Sequence, residues 1–392
     1  MMKNLALLLA LWAAAAGTLQ GQVIPPDLLC VANDSLQWEV PENNCGPFTS
    51  YLVYASQQEA GPYTLLAEIT DPTQTVYFHE DAPAGVWYYY MESDFDCPGE
   101  PVLQSDTLDS LNPEQVELLS ASVEGSNVRL NWAPSASPEV IGYIISRNIP
   151  GTGTVAIDTV LGQTEYLDMG ASADSIPERY FVEAIDACGN KSIISEPHRT
   201  LFLEAVSSDS CDRSIRLDWL AYEGWIYSGH RIEVSRDGSP FQPLTETPAT
   251  EESFELTDNL INGLEYCFRV VALQADGAEE ARSNIVCVTP DIVGTIVDSE
   301  LINATVTENG IGLTFRWNTE APVASVEVRR GMGNDLAAIA TDIPGSGSNN
   351  ELSYQDSTAN TNSGPFTYQV NLTDPCGDQL ASNTVRTIFL EA

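Results

Sequence analysis

Positive charge is scarce in this chain of 392 residues. Lys and Arg together number 16 against 56 Asp and Glu, His contributes three, and the net charge is −40. Such a surface repels polyphosphates and anionic headgroups, which argues against nucleic acid and anionic membrane as partners. Long apolar runs are also missing. The one run, from Leu5 to Ala16, falls short of the about 20 residues a bilayer span requires. Catalytic signatures are absent as well. His79, His198 and His230 stand isolated, with no H-x-x-H or H-E-x-x-H spacing for zinc. There is no G-x-S-x-G elbow, phosphate loop or dinucleotide fingerprint, and no D-x-D-x-D-G loop for calcium. The expectation is a non-catalytic chain without a cofactor, its three histidines lying singly on the surface.

What is present begins at the N-terminus. "MMKNLALLLALWAAAAGTLQGQ" joins one Lys, an apolar run and a stretch of small and polar residues. That is the pattern of a secretory signal peptide over 1–21, cleaved between Ala16 and Gln22. Export takes the chain into an oxidising compartment, where its eight Cys can pair. Leu29 precedes the first of them, Cys30, where a lipoprotein needs a small residue.

The remainder repeats. "SLQW", "VRLNW", "IRLDW" and "LTFRW" each alternate apolar with polar residues and end on Trp38, Trp132, Trp219 and Trp317. A period of two places alternate residues on one face of a strand, so the four indoles are expected in cores. Each copy continues with a second strand ("SYLVYAS", "IGYIISR", "HRIEVSR", "ASVEVRR"), a Tyr-led strand ("WYYYMES", "RYFVEAIDA", "YCFRVVALQ", "YQVNLTD") and a Ser/Asn-rich turn before a last strand. Copy one shows no clear strand before Cys30. Many short strands, no helical period and units of about 90–100 residues argue antiparallel sandwiches. In "LINGLEYCFRV", Leu260 and Leu264 precede Tyr266 as a tyrosine corner requires.

With these features the chain resembles a tandem array of fibronectin type III modules. The fold class expected is all-β, with four fibronectin type III-like (immunoglobulin-like) sandwiches after the signal peptide. The boundaries are expected at 23–112, 113–199, 200–290 and 291–392, with Pro113 and Pro290 marking two of them. Cys267 and Cys287 are equidistant from the turn at Gly277, which predicts a bridge across a hairpin. In this fold the loops carrying Cys45 and Cys97 share one pole, which predicts a second bridge. Cys188 and Cys211 are left to pair across a boundary, which needs a bent junction because the two positions lie at opposite poles of a straight array. Cys30 and Cys376 remain over. Cys376, in "DPCGD", matches Cys188, in "DACGN", and its partner is expected in a module that does not follow.

Two aromatic clusters have a double reading. Trp225 with Tyr222 and Tyr227 in "AYEGWIY", and Trp87 beside Tyr88–Tyr90, could form platforms for a glycan or protein ligand, or lids on the core.

The order of "LLCVANDSLQWEVPENNCGPFTSYLVYAS", "YYYMESDFDCPG" and "DACGN…PHRT" resembles secreted Bacteroidetes proteins whose modules precede a gliding motility-associated C-terminal domain. The resemblance implies type IX secretion and an extracellular scaffold, structural, adhesive or spacer in role, with an extracellular protein or glycan and the export machinery as partners. The alternative is a specific glycan- or protein-binding module. In such proteins triplets like Asp34-Ser35-Leu36 can accept O-linked glycans. The chain ends on "RTIFLEA", an echo of "RTLFLEA" at 199–205. The expectation is that Arg386–Ala392 opens a missing fifth module and that Cys376 is an unpaired thiol.

Overall fold

The computed structural model describes residues 22–43, 45–80, 82–318, 322–345 and 350–389. The expected signal peptide over 1–21 lies outside the described residues. The chain is all-β and folds as four antiparallel sandwiches in tandem. It divides into two compact units. One holds the residues up to Thr200 with Tyr222–Ile226 and Gly277–Ala281. The other holds Leu201–Ala221, Tyr227–Asp276 and Arg282–Ala392.

Each sandwich follows from the alternation in its strands. In the second, Asn127–Trp132 lies between Leu118–Glu124 and Glu165–Asp168 in a three-stranded sheet. Val128, Leu130 and Trp132 point inward and are buried, while Asn127, Arg129 and Asn131 face outward. The facing sheet runs Gly153–Leu161, Val140–Ile149, Arg179–Asp186 and His198–Arg199. The first sandwich repeats the plan with Asp27–Ala32, Ser35–Glu39 and Val76–Phe78 opposite Thr64–Ile69, Phe48–Ser56, Tyr88–Phe95 and Leu108–Asp109. Its opening strand was not evident in the sequence. Cys30 sits in that strand opposite Gln37, on the face away from the core residues Leu28 and Val31, and is fully buried.

In the second unit, Phe202–Asp209, Ser214–Leu220 and Ser253–Leu256 form one sheet of the third sandwich. Tyr266 is its tyrosine corner, the hydroxyl accepting the Ile261 N–H at 2.9 Å. The fourth sandwich sets Ser299–Thr307, Gly310–Trp317 and Glu351–Asp356 against Ala337–Pro344, Ser325–Gly331 and Thr367–Thr373.

Trp38, Trp132, Trp219 and Trp317 are all buried, as are Tyr89, Tyr180, Tyr266 and Tyr368. The indole and the phenol come from opposite sheets, so each core is closed by one large ring from either side. Burying rings of that size supplies much of the hydrophobic stabilisation of so small a module.

The end of the described chain differs from the sequence expectation. Val385–Arg386 pairs with Thr367–Thr373 as a strand of the fourth sandwich, with Tyr368 opposite Val385. Thr387 is buried, its N–H donating to the Phe366 carbonyl and its hydroxyl accepting the Phe366 N–H. Thr200 makes the same two bonds with Glu178. The shared "RT" therefore closes a module, because the Thr hydroxyl ties the last strand back to its neighbour. Leu390 lies outside the described residues.

Candidate functional site: cystine staples and an aromatic anchor

Within the first unit, a turn of the second module is bonded to the opening strand of the first. The Asp186 carboxylate accepts the Asn190 N–H at 2.8 Å and the Asn190 amide group at 2.7 Å. Gly189, at φ +87°, lets the chain reverse between them. Cys188 at the apex is disulfide-bonded to Cys30, with Cα atoms 5.9 Å apart. The Asn190 amide also donates to the Val31 carbonyl at 3.1 Å.

Within the second unit the same arrangement recurs between the third and fourth modules. Asp374 accepts the Cys376 and Asp378 N–H groups, both at 2.9 Å. Cys376 is disulfide-bonded to Cys211, with Cα atoms 5.4 Å apart. Arg213 reaches Asp374 at 3.3 Å and Asp378 at 3.2 Å, and donates through Nε to the Val293 carbonyl. On the Cys211 side, the Asp212 and Cys211 N–H groups hold the Asp209 carboxyl below its usual range.

These bonds correct the expected pairing of Cys188 with Cys211, and Cys376 is not an unpaired thiol. The reason lies in the polarity of a sandwich. The first strand runs from the entry pole to the exit pole, so the hairpin beside Cys30 or Cys211 faces the next module. The turn carrying Cys188 or Cys376 lies at the entry pole of that next module. Cys45 is bonded to Cys97 inside the first module, with Cα atoms 5.7 Å apart. Cys267 is bonded to Cys287, its direct cross-strand neighbour, at 4.0 Å. Four disulfides are the mark of a chain matured outside the reducing cytoplasm.

The first unit also holds the aromatic anchor. Leu118–Glu124 is the edge strand of its sheet, and its outward polar groups need partners. The Tyr222 hydroxyl accepts the Ala121 N–H at 3.0 Å, and Trp225 Nε1 donates to the Leu119 carbonyl at 2.7 Å. Glu223 exchanges two backbone hydrogen bonds with Arg199, and its carboxylate pairs with Arg179. Gly224, at φ +151°, passes so close to His198 that a Cβ would lie 2.5 Å from the ring.

The Tyr222 hydroxyl is also hydrogen-bonded to Nδ1 of His198, 2.6 Å away. Burial pushes the His198 imidazole down to about 4 and pushes the Tyr222 phenol up. A cleft of about 250 Å³ adjoins the ring, lined by Gln115, Glu117, Glu196 and neighbours.

Tyr222, at 3% exposure, is therefore a structural anchor and not a ligand platform. Trp225 is half-buried on the Tyr222 ring, centroids 4.5 Å apart. Tyr227 packs at a tilt against His230 in the second unit, ring centroids 5.1 Å apart. Trp87 packs against His79 and donates to the Pro83 carbonyl at 2.8 Å. The histidines also depart from expectation: all three are buried, each beside aromatic rings. Among the described residues, no group of three or more His, Cys, Asp or Glu is placed to hold a metal ion.

One recurring cluster was not found in the sequence. In the second module Asp168 accepts from Arg147 at 2.6 Å and from the Tyr180 hydroxyl at 2.8 Å. In the fourth, Asp356 accepts from Arg330 at 2.6 Å and Tyr368 at 2.7 Å. Burial works against the Asp356 carboxylate, but donors from Tyr368, Thr358 and Arg330 together hold it below its ordinary range. The signal was the spacing: Asp precedes Tyr by 12 residues in both modules.

No family model matches the chain. Exoglucanase B of Cellulomonas fimi is 26% identical over 297 residues, which are 69% of this chain and 25% of that protein. The chain thus spans about a quarter of the length of this curated relative. Among solved structures, the chicken CNTN1 FN1-FN3 domains are 13% identical with a TM-score of 0.26, covering 71% of this chain and 99% of theirs. A tetra-tandem repeat in the extending region of a large adhesion protein is 14% identical with a TM-score of 0.25, covering 93% and 98%. No helix of the described residues is long and apolar enough to cross a membrane.

Proposed function

We propose that the chain is an exported, non-catalytic scaffold: structural, adhesive or spacer modules of a cell-surface or secreted protein. Its modules span 23–112, 113–199, 200–290 and 291–392. The cell is of the Bacteroidetes type, and the route is a signal peptide followed by type IX secretion, in association with gliding or surface attachment. Its partners are an extracellular protein or glycan and the export machinery.

The observation that carries this reading is the use to which the reactive residue types are put. Cys30 with Cys188 and Cys211 with Cys376 knit neighbouring modules. His198 and Tyr222, both buried, secure a loop on an edge strand. Side chains that could do chemistry are engaged in holding sandwiches together. The Trp225 cluster lends nothing to a separate ligand-binding reading, because its polar tips are already engaged by backbone.

Protease shaving of intact cells, followed by immunoblotting for the third module, tests the proposal. The chain should be cleaved from outside while periplasmic markers survive. Recovery only from the periplasm or cytoplasm would overturn the surface reading. Unchanged display in a strain lacking the type IX translocon would overturn the secretion route alone.

A further inference from the structure

We propose that this chain is a load-bearing tether whose cystines hold almost all of it out of the path of force. The inference rests on the scaffold reading and adds the kind of work the scaffold does. Tension travels along covalent bonds. Pulled from residue 22, the load reaches Cys30, crosses the disulfide to Cys188 and leaves by the chain that follows. The chain between those cysteines, a separation of 158 residues, is a covalent loop lying in parallel with the load. The load next runs from Cys188 to Cys211 and crosses to Cys376, which bypasses a separation of 165 residues. Trp38, Trp132, Trp219 and Trp317, and with them most of each core, lie inside the two loops.

Placement separates this role from ordinary stabilisation. The stability a disulfide adds grows only with the logarithm of loop length. The length it withholds from extension grows in proportion. A bridge within one module, such as Cys45–Cys97, spans 52 residues and Cys267–Cys287 spans 20. The two intermodule bridges instead join a cysteine near the start of one module's sequence to one near the end of the next, and withhold about 550 and 580 Å at up to 3.3–3.6 Å per residue. This placement occurs twice, on turns built alike from an Asp that caps a Cys-Gly reversal.

The stretches left in the load path are hydrogen-bonded strands that can peel. After Cys188, Ser192 donates to Ala184, Ser195 to Val182 and Thr200 to Glu178. Before Cys211, Phe202–Asp209 pairs with Ser214–Leu220. The step from Cys188 to Cys211 is 23 residues, so full peeling releases only about 80 Å.

Single-molecule force spectroscopy on residues 22–392, matured under oxidising conditions and held by handles at both ends, tests this. The oxidised protein should lengthen in no step beyond about 80 Å. The double variant Cys30→Ser/Cys188→Ser should gain the 158 residues less the 52 still bridged by Cys45–Cys97. Those 106 residues give about 370 Å of new extension. If that variant does not fold, the wild type in dithiothreitol serves. Each disulfide then becomes two thiols as dithiothreitol closes to its cyclic disulfide, and roughly 1,100 Å should be released. Steps of about 300 Å from the oxidised wild type, the length of one whole module, would overturn the proposal. So would a double variant or a reduced wild type that extends no further than the oxidised one. Neither result touches the scaffold reading, which surface shaving decides.

Discussion

Acid should loosen the first unit through His198. The ring is buried at 3% exposure, is hydrogen-bonded to the Tyr222 hydroxyl at 2.6 Å, and has its pKa pushed down to about 4 by desolvation. In the unfolded chain a histidine titrates near 6.5. The native state therefore stays neutral over a range where the unfolded chain takes up a proton, and protons favour unfolding there. The contribution of this site is complete above about pH 6.5, declines as pH falls towards 4, and levels off below. A difference of about 2.5 units corresponds to roughly 3 kcal/mol. For a unit of about 200 residues, at 2–4 °C per kcal/mol, that is a fall of roughly 6–12 °C in the melting midpoint. Glu117 and Glu196 line the cleft beside the ring and other carboxylates also respond to acid, so a reference is needed. His198→Asn keeps an acceptor for Tyr222 in the amide oxygen and removes the titration. Calorimetry on both proteins between pH 7 and 4 should show the wild type losing the extra 6–12 °C. Equal slopes for the two would refute the reasoning and mean that the buried ring does not govern this unit's acid response.

Three further outcomes are expected. Trp132→Ala should cost about 3–5 kcal/mol, because it empties the largest ring from the second core; denaturant titration measures it, and a loss under 1 kcal/mol would contradict the packing. Tyr222→Phe should strand the Ala121 N–H and His198 Nδ1 in a buried site at about 1–3 kcal/mol each; hydrogen exchange at Ala121 should then speed at least about tenfold, and unchanged protection would show the hydroxyl to be idle. Peptide mapping of the exported protein without reduction should recover Cys30 with Cys188, Cys45 with Cys97, Cys211 with Cys376 and Cys267 with Cys287; a Cys188–Cys211 peptide would exclude the staple arrangement.

The chain's own order of residues determined everything that depends on neighbours one or two places apart. Alternation in "VRLNW" and "IRLDW" put Trp132 and Trp219 inward, because a strand turns alternate side chains to one face. The spacing before Tyr266 announced its corner, whose hydroxyl meets the Ile261 N–H five residues upstream. What the sequence could not decide was which distant surfaces meet. Cys30 and Cys188 lie 158 residues apart, and only the polarity of stacked sandwiches places one against the other. The same limit applies to Tyr222 and Trp225. As a loop sequence they were readable as a ligand platform or as a lid on the core, and the open edge of Leu118–Glu124, about 100 residues earlier, makes them an anchor instead. Burial of His79, His198 and His230 likewise depends on rings brought up by packing, not on any local pattern. The echo between "RTLFLEA" and "RTIFLEA" was visible, but its meaning was tertiary. A threonine whose hydroxyl and N–H both bind the strand beside it closes a module, and only the neighbouring strand, at Glu178 or Phe366, reveals that.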